Sequence, residues 1–306
     1  MGIDIKDNKM NINDPNNNQE KITRRSARIG KLLKWLKHIP SYLFVGFWSL
    51  FTVFVFGWIA LSSLKANRAV FKEAWKLPTE LHFENFVKAW SVVNLGDYFM
   101  NSVIVVFASV FFILLVSAPA AYILSRVKFK GNNLISTIFT AGMGIPFPLL
   151  FIPLFVIMAN LKLSDSLVGL TIVYVSLSIP FTIFILTGFF GSLPSELEES
   201  AIIDGCTDYQ VFFRIMLPLA SPGLITAAIF NFIGLWNEYQ LALIFINTDK
   251  NRTISLGLYA LQNAMQYTGD WVGLFAGIVI IIVPTIILYI FLSEKMIAGI
   301  TMGAAK

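Results

Sequence analysis

The sequence predicts an all-α integral membrane protein of six transmembrane helices, and three observations carry that prediction. Of 306 residues, 56% are hydrophobic and only 13% charged, about half the charge usual in a soluble domain. The mean hydropathy is +0.71. The apolar residues fall in continuous runs close to the roughly 20 residues that cross a bilayer as helix, whereas a β-barrel would need short alternating strands.

Taken in order, residues 1 to about 20 are rich in Asn and Asp, cannot bury enough surface to offset ordering, and are predicted to be disordered. A basic stretch follows, Lys21, Arg24, Arg25, Arg28, Lys31, Lys34 and Lys37, interleaved with Ile29, Leu32, Leu33, Trp35 and Leu36 and stopped by Pro40. It reads as a charge cluster setting topology ahead of the first span, with an amphipathic segment on the lipid surface as the alternative. Residues 1–40 are therefore predicted to be a cytoplasmic, partly disordered basic segment. The apolar run after it is near full membrane length, which makes a secretory signal a poor description.

Spans are expected near 41–61, 99–124, 134–159, 167–190, 220–246 and 272–292. Pro119, Pro146, Pro148, Pro153, Pro180, Pro222 and Pro284 fall inside these runs, so neighbouring helices or a lined cavity must satisfy the carbonyls they free. With six spans, the N-terminal cluster, Arg126, Lys128, Lys130, Arg214, Lys295 and Lys306 share one side, which places both termini in the cytoplasm. Lys65, Arg68, Lys72, Lys76 and Lys88 in one longer outer loop, with Lys162, Lys250 and Arg252, weaken that signal without reversing it.

Several function classes lack raw material. The two histidines, His38 and His82, have no ligand-spaced partners and read as solvated polar residues. No phosphate-binding glycine loop is present. The single Cys206 forms no internal disulfide and reads as a small helix-entry residue. The net charge of +5 sits mainly beside apolar runs, as membrane topology requires, so no nucleic acid is expected as a partner. No catalytic residue and no metal site is predicted.

Most information lies in the cytoplasmic loop 192–219. Ser195 with Glu198 has the spacing of a capping box, and Glu196, Glu198 and Glu199 favour the positive end of a helix dipole. Gly205 suits a helix stop, Thr207 with Gln210 has the spacing of a second capping box, and Pro218 closes the second helix. Each helix is too short to stand alone in water. Their apolar faces, Leu197, Ala201 and Ile202 on one and Tyr209, Phe212, Phe213 and Met216 on the other, need something to dock on. That is either the chain's own spans or a separate protein, and composition does not separate the two.

The spacing Glu199, Ala201, Gly205, then Ile215, Leu217 and Pro218, with Ser200 and Asp204 between, resembles the EAA motif of ABC-importer permease subunits. The stretch Phe230 to Tyr239 resembles the following span of the carbohydrate branch, Ile297 to Lys306 its G-x-T-x-G-A-x-K terminus, and Pro78 to Phe86 the segment before its second span. The resemblance covers roughly residues 40 to 306 and is strongest to maltose-type permeases. It implies a type I ABC importer permease fold over 41–306, alternating access for a di- or oligosaccharide, and no catalysis by this chain. A second homologous permease, an extracytoplasmic solute-binding protein and a cytoplasmic ATPase dimer using ATP and Mg would be the partners, with membrane lipid around them.

By that resemblance the loop is a coupling helix seated in the ATPase: Glu199 would meet a basic group, Ala201 would allow close approach and Gly205 would turn the corner. Ser200 departs from the usual middle alanine by a small-for-small change. The tail, 294–306, would reach the ATPase through Gly303, Ala304 and Lys306. In the fifth run an ionisable group is expensive, so Asn231, Trp236, Asn237 and Glu238 are candidate substrate-pathway residues, with an outer-interface position the alternative for Glu238. Asn101 and Asn160 read as helix-to-helix or interface residues. A secondary transporter driven by an ion gradient is the rival reading; it would need paired intramembrane carboxylates and repeated halves.

Overall fold

A computed structural model describes residues 15–92 and 94–304, with side-chain surroundings defined for 39–91, 94–287 and 289–291. The chain divides into two compact units, Met1–Trp58 and Ile59–Lys306. In the first, α1 (Pro15–Ser63) continues through Pro40 into the second unit. Disorder reaching residue 20 and a stop at Pro40 are thereby corrected; residues 1–14 lie outside the described residues.

The second unit holds everything that follows. A packed segment, α2 (Asn67–Lys72) and α3 (Glu84–Val87) with a π turn over Lys88–Val92, leads into α4 (Leu95–Arg126). The third apolar run is not one helix: α5 (Asn132–Gly142), a 3-10 turn Phe147–Leu150 and α6 (Phe151–Asn160) are bent by 100°. Gly142 and Gly144 flank the break, and Pro146 and Pro148 sit where proline tolerates a missing N–H. After α7 (Leu167–Ser192) come α8 (Glu196–Ile203), α9 (Asp208–Gln210), a π segment Val211–Met216 and α10 (Leu217–Leu219). The chain turns 69° into α11 (Ser221–Asn237), breaks, and resumes as α12 (Gln240–Phe245), α13 (Ile254–Thr268) and α14 (Trp271–Ala304).

Among the described residues four helices are long and apolar enough to cross a membrane, or up to six when each bent pair is taken as one span. The central packing is α4 beside α7, running in the same direction. Val105 clusters with Leu170, Val173 and Tyr174 at one end, and Ala118 and Ala121 with Ile183, Leu186 and Phe190 at the other. A third cluster joins Leu95, Tyr98 and Val106 to Phe232, Trp236, Ile254 and Ile281, tying α4 to α11, α13 and α14.

Two features differ from the sequence expectation in ways that matter for the site. Lys65, counted as an outer loop charge, is only 4% exposed and donates from Nζ to the carbonyls of Glu73 and Ala74, 3.0 Å each, just past the C-terminal end of α2. The helix α13 was not foreseen. Thr253 caps its start by accepting from the Leu256 N–H, Gly269 ends it at φ +66°, and Ile254, Leu261 and Met265 form its buried stripe.

Candidate functional site

The loop 192–219 folds as a helix, a glycine corner and a second helix. At the corner the Cys206 N–H donates to the Ala201 carbonyl and the Gly205 N–H to Ile202, both at 3.0 Å, the paired bonds that close a helix through a left-handed residue. Gly205 supplies that residue at φ +82°. Thr207 and Gln210 form the predicted reciprocal cap: the Gln210 N–H donates to Thr207 Oγ1 and the Thr207 N–H to Gln210 Oε1. The cap foreseen at Ser195 is absent. Ser195 has helical dihedrals and its side chain makes no cap, while the Glu198 carboxylate turns toward Arg126 and Tyr122 instead.

The apolar faces resolve into two sets. Ala201, Val211, Phe212 and Met216 are buried with Ala118, Ile183 and Phe190 of the spans, and Cys206, Ile215 and Leu217 pack on the same cluster. Ile202, Ile203, Tyr209 and Phe213 stay exposed, Ile203 at 85% and Tyr209 at 79%. The π segment puts Phe212 inward and Phe213 outward on consecutive residues. Glu199, Asp204 and Pro218 are exposed, and Ser200 returns its hydroxyl to the Glu196 carbonyl at 2.6 Å, so the departure from alanine leaves no orphan group.

The second candidate region is a cavity of about 680 Å³ between the bent α5–α6 element, α7 and α11, within the usual size of small-molecule sites. Asn231, Glu238, Gln240, Tyr174, Ser176 and Ser178 give it polar groups, and Phe147, Phe151, Phe181 and Phe230 give it aromatic walls. Pro180 also lines it and removes the N–H that would engage the Ser176 carbonyl, so irregular backbone is concentrated where a cavity can satisfy it.

The four predicted pathway residues separate here. Asn231 and Glu238 line the cavity. Asn231 Nδ2 donates to Thr182 Oγ1 at 2.9 Å and to the Ala227 carbonyl at 2.8 Å. Glu238 stands at the helix break, not in a continuous span: Oε1 accepts from the Leu241 N–H at 2.7 Å, and Oε2 from the Ala242 N–H and the Tyr174 hydroxyl at 3.2 and 2.6 Å. Trp236 is not a lining residue. It is buried, stacked on Phe232 with ring centres 5.5 Å apart, and its Nε1 donates to the Ile281 carbonyl. Asn237 is exposed and bonds back to Ile233. Helical spacing explains this division: from Asn231, a step of three residues keeps the cavity face at Gly234, whereas Trp236 falls on the opposite face. Sequence reasoning missed Tyr174, whose hydroxyl fixes Glu238. Asn101 holds a loop, donating to the Lys250 and Arg252 carbonyls; Asn160 is exposed. Of the tail, Gly303 and Ala304 continue α14 and Lys306 lies outside the described residues.

Residues 113–293 match the family described as binding-protein-dependent transport system inner membrane component. The chain is 35% identical over 287 residues to the diacetylchitobiose uptake system permease protein NgcG of Streptomyces coelicolor, covering 94% of this chain and 93% of that protein. It is 33% identical over 273 residues to the probable starch degradation products transport system permease protein AmyC of Thermoanaerobacterium thermosulfurigenes, covering 88% and 98%. Its fold matches a chain of a bacterial ABC transporter involved in import of the acidic polysaccharide alginate, with TM-score 0.73 and 23% identity over 88% and 97% of the two chains. With the bent spans, the structured loop between α7 and α11 and these matches in hand, the chain belongs to the family of binding-protein-dependent transport system inner membrane components, as a multi-pass, non-catalytic membrane subunit of the type I ABC importer permease fold.

Proposed function

We propose that this subunit moves a carbohydrate across the cytoplasmic membrane by alternating access, with both termini in the cytoplasm. A second homologous permease completes the pathway, a solute-binding protein delivers substrate, and an ATPase dimer consuming ATP and Mg drives the cycle through the 195–219 hairpin. The observation that carries this reading is the hairpin's division. Ala201, Phe212 and Met216 fix it to the spans while Ile203, Tyr209 and Glu199 face outward, so a protein bound there moves the spans with it. Gly303, Ala304 and Lys306 supply a second contact to the same ATPase.

Relatives named for diacetylchitobiose and starch products support a carbohydrate. So does the cavity, whose Phe rings and amide, hydroxyl and carboxylate groups are the types that recognise sugars. Asn231 and Glu238 are its candidate contacts, with Trp236 behind them as packing.

The test is to tag the N-terminus, extract membranes in mild detergent and identify what co-purifies. Stoichiometric recovery of a second permease and an ATPase is expected. Recovery of this chain alone, with uptake abolished by collapsing a proton or sodium gradient, would overturn the reading. Glu199→Lys should leave the chain in the membrane but weaken ATPase retention about 100-fold, because opposed like charges cost several kcal/mol; undiminished uptake would remove the hairpin from the mechanism.

A further inference from the structure

Beneath the hairpin lies an ionic cluster that the coupling reading leaves unused. Arg126 is the last residue of α4 and Glu198 sits in the first turn of α8; their side chains are 12% and 17% exposed. One guanidinium nitrogen of Arg126 donates to the Leu193 carbonyl at the end of α7. The Tyr122 ring packs on Phe190 and Phe212 with centres 5.6 and 5.0 Å away, which sets its hydroxyl beside the Glu198 carboxylate. The cluster thus touches α4, the end of α7, α8 and the π segment at once.

The pair itself is open. Arg126 and Glu198 approach only to 3.9 Å, and Nε of Arg126 and Oε1 of Glu198 are both buried without a hydrogen-bond partner. Two other ion pairs are closed, Lys88 to Asp270 at 2.6 Å and Arg252 to Asp249 at 2.7 Å. A buried charged atom left unpaired is costly. A guanidinium and a carboxylate meeting edge to edge would satisfy both orphan atoms through two parallel bonds of about 2.8 Å, about an ångström closer than here.

We propose that Arg126 and Glu198 form a latch, open in this conformation and closed in the other limb of the transport cycle, which transmits movement of the hairpin to α4. Arg126 and Glu198 are then positioning residues: they touch neither substrate nor nucleotide, and they act by making one arrangement of α8 against α4 cheaper than another. The proposal rests on the hairpin being the site where the ATPase docks.

Two measurements on the full complex test it. Cryo-electron microscopy with and without Mg-ADP and vanadate should show the pair contracting to about 2.8 Å, with Nε engaged, in one nucleotide state; the same open separation in both states overturns the latch. Glu198→Gln should change ATP hydrolysis per assembled complex about fivefold or more, the scale of a coupling free energy between sites. The milder Tyr122→Phe should move it in the same direction. If either variant only lowers the amount of complex, with turnover per complex unchanged, the cluster is structural and the latch fails. If the wild-type chain retains no ATPase, the docking reading is what has failed, and the latch falls with it.

Discussion

The C-terminal ends of α6 and α8 are closed by the same pair of backbone bonds. At α6 the Leu163 N–H donates to the Met158 carbonyl and the Lys162 N–H to Ala159; at α8, Cys206 and Gly205 make the equivalent bonds. The two corners lie at opposite ends of α7, whose 26 residues span about 39 Å. Around them everything differs. At the α6 corner a lysine holds the left-handed position at φ +57°, and Asp165 clamps the distant 247–251 loop, its Oδ1 accepting from the Asn247 and Thr248 N–H groups and the Thr248 hydroxyl. The Leu163 carbonyl lies so near Gly169 that a Cβ there would stand 2.0 Å from it. At the α8 corner the residue is glycine, nothing lies within 4 Å of where its Cβ would be, and the flanking apolar side chains face outward. One corner is locked to its own chain; the other is open around its glycine.

Substitutions can break this contrast. Gly169→Ala has no room without moving backbone, and the overpacking should cost about 3 kcal/mol or more. The check is the thermal unfolding midpoint in detergent, where an unchanged value would show that the α6 corner is not locked. Gly205→Ala meets no atom but must hold φ +82°, which costs about 1–2 kcal/mol for a residue with a Cβ. Its larger consequence should appear in uptake, with the fold retained; equal losses in folding and uptake would erase the distinction between the corners.

Asp165→Asn should cost about 1 kcal/mol, since the amide oxygen still accepts but without charge. Partial burial alone would raise this carboxyl, but the Thr248 and Asn247 N–H groups, with Thr248 and Asn251 side chains, hold it below the usual Asp range. Its stabilisation is therefore complete above the unfolded value of about 3.9 and is lost as pH falls through the lower folded value. The wild-type midpoint should fall toward that of the Asn variant on acidification, and a constant gap between them would refute the clamp.

Much of the fold was legible because bilayer length and hydrophobicity act on whole segments. The bend after Gly142 and the break at Glu238 were not, since hydropathy averages across them and cannot tell a straight helix from two short ones. Thr207 and Gln210 capped as their spacing predicted, because that exchange is local. Ser195 and Glu198 have the same spacing and did not, because Arg126 and Tyr122, far away in sequence, compete for the carboxylate. Trp236 and Glu238 looked alike as intramembrane polar residues, and only the face each occupies separates core from cavity wall. The α13 helix was legible in retrospect from Thr253, Gly269 and the stripe between them, but its modest hydrophobicity hid it from a search for spans.

The outward side chains of the hairpin also bear on how the cell counts its subunits. A copy made in excess of its ATPase would present Ile202, Ile203, Tyr209 and Phe213 to the aqueous phase. Exposed apolar side chains on one short hairpin are a liability in an unassembled protein. Chaperones and proteases would meet surplus copies through the surface that assembly hides. With an ATPase seated there as proposed, the same four residues would also set the lifetime of unassembled copies, and with it the ratio of membrane to ATPase subunits.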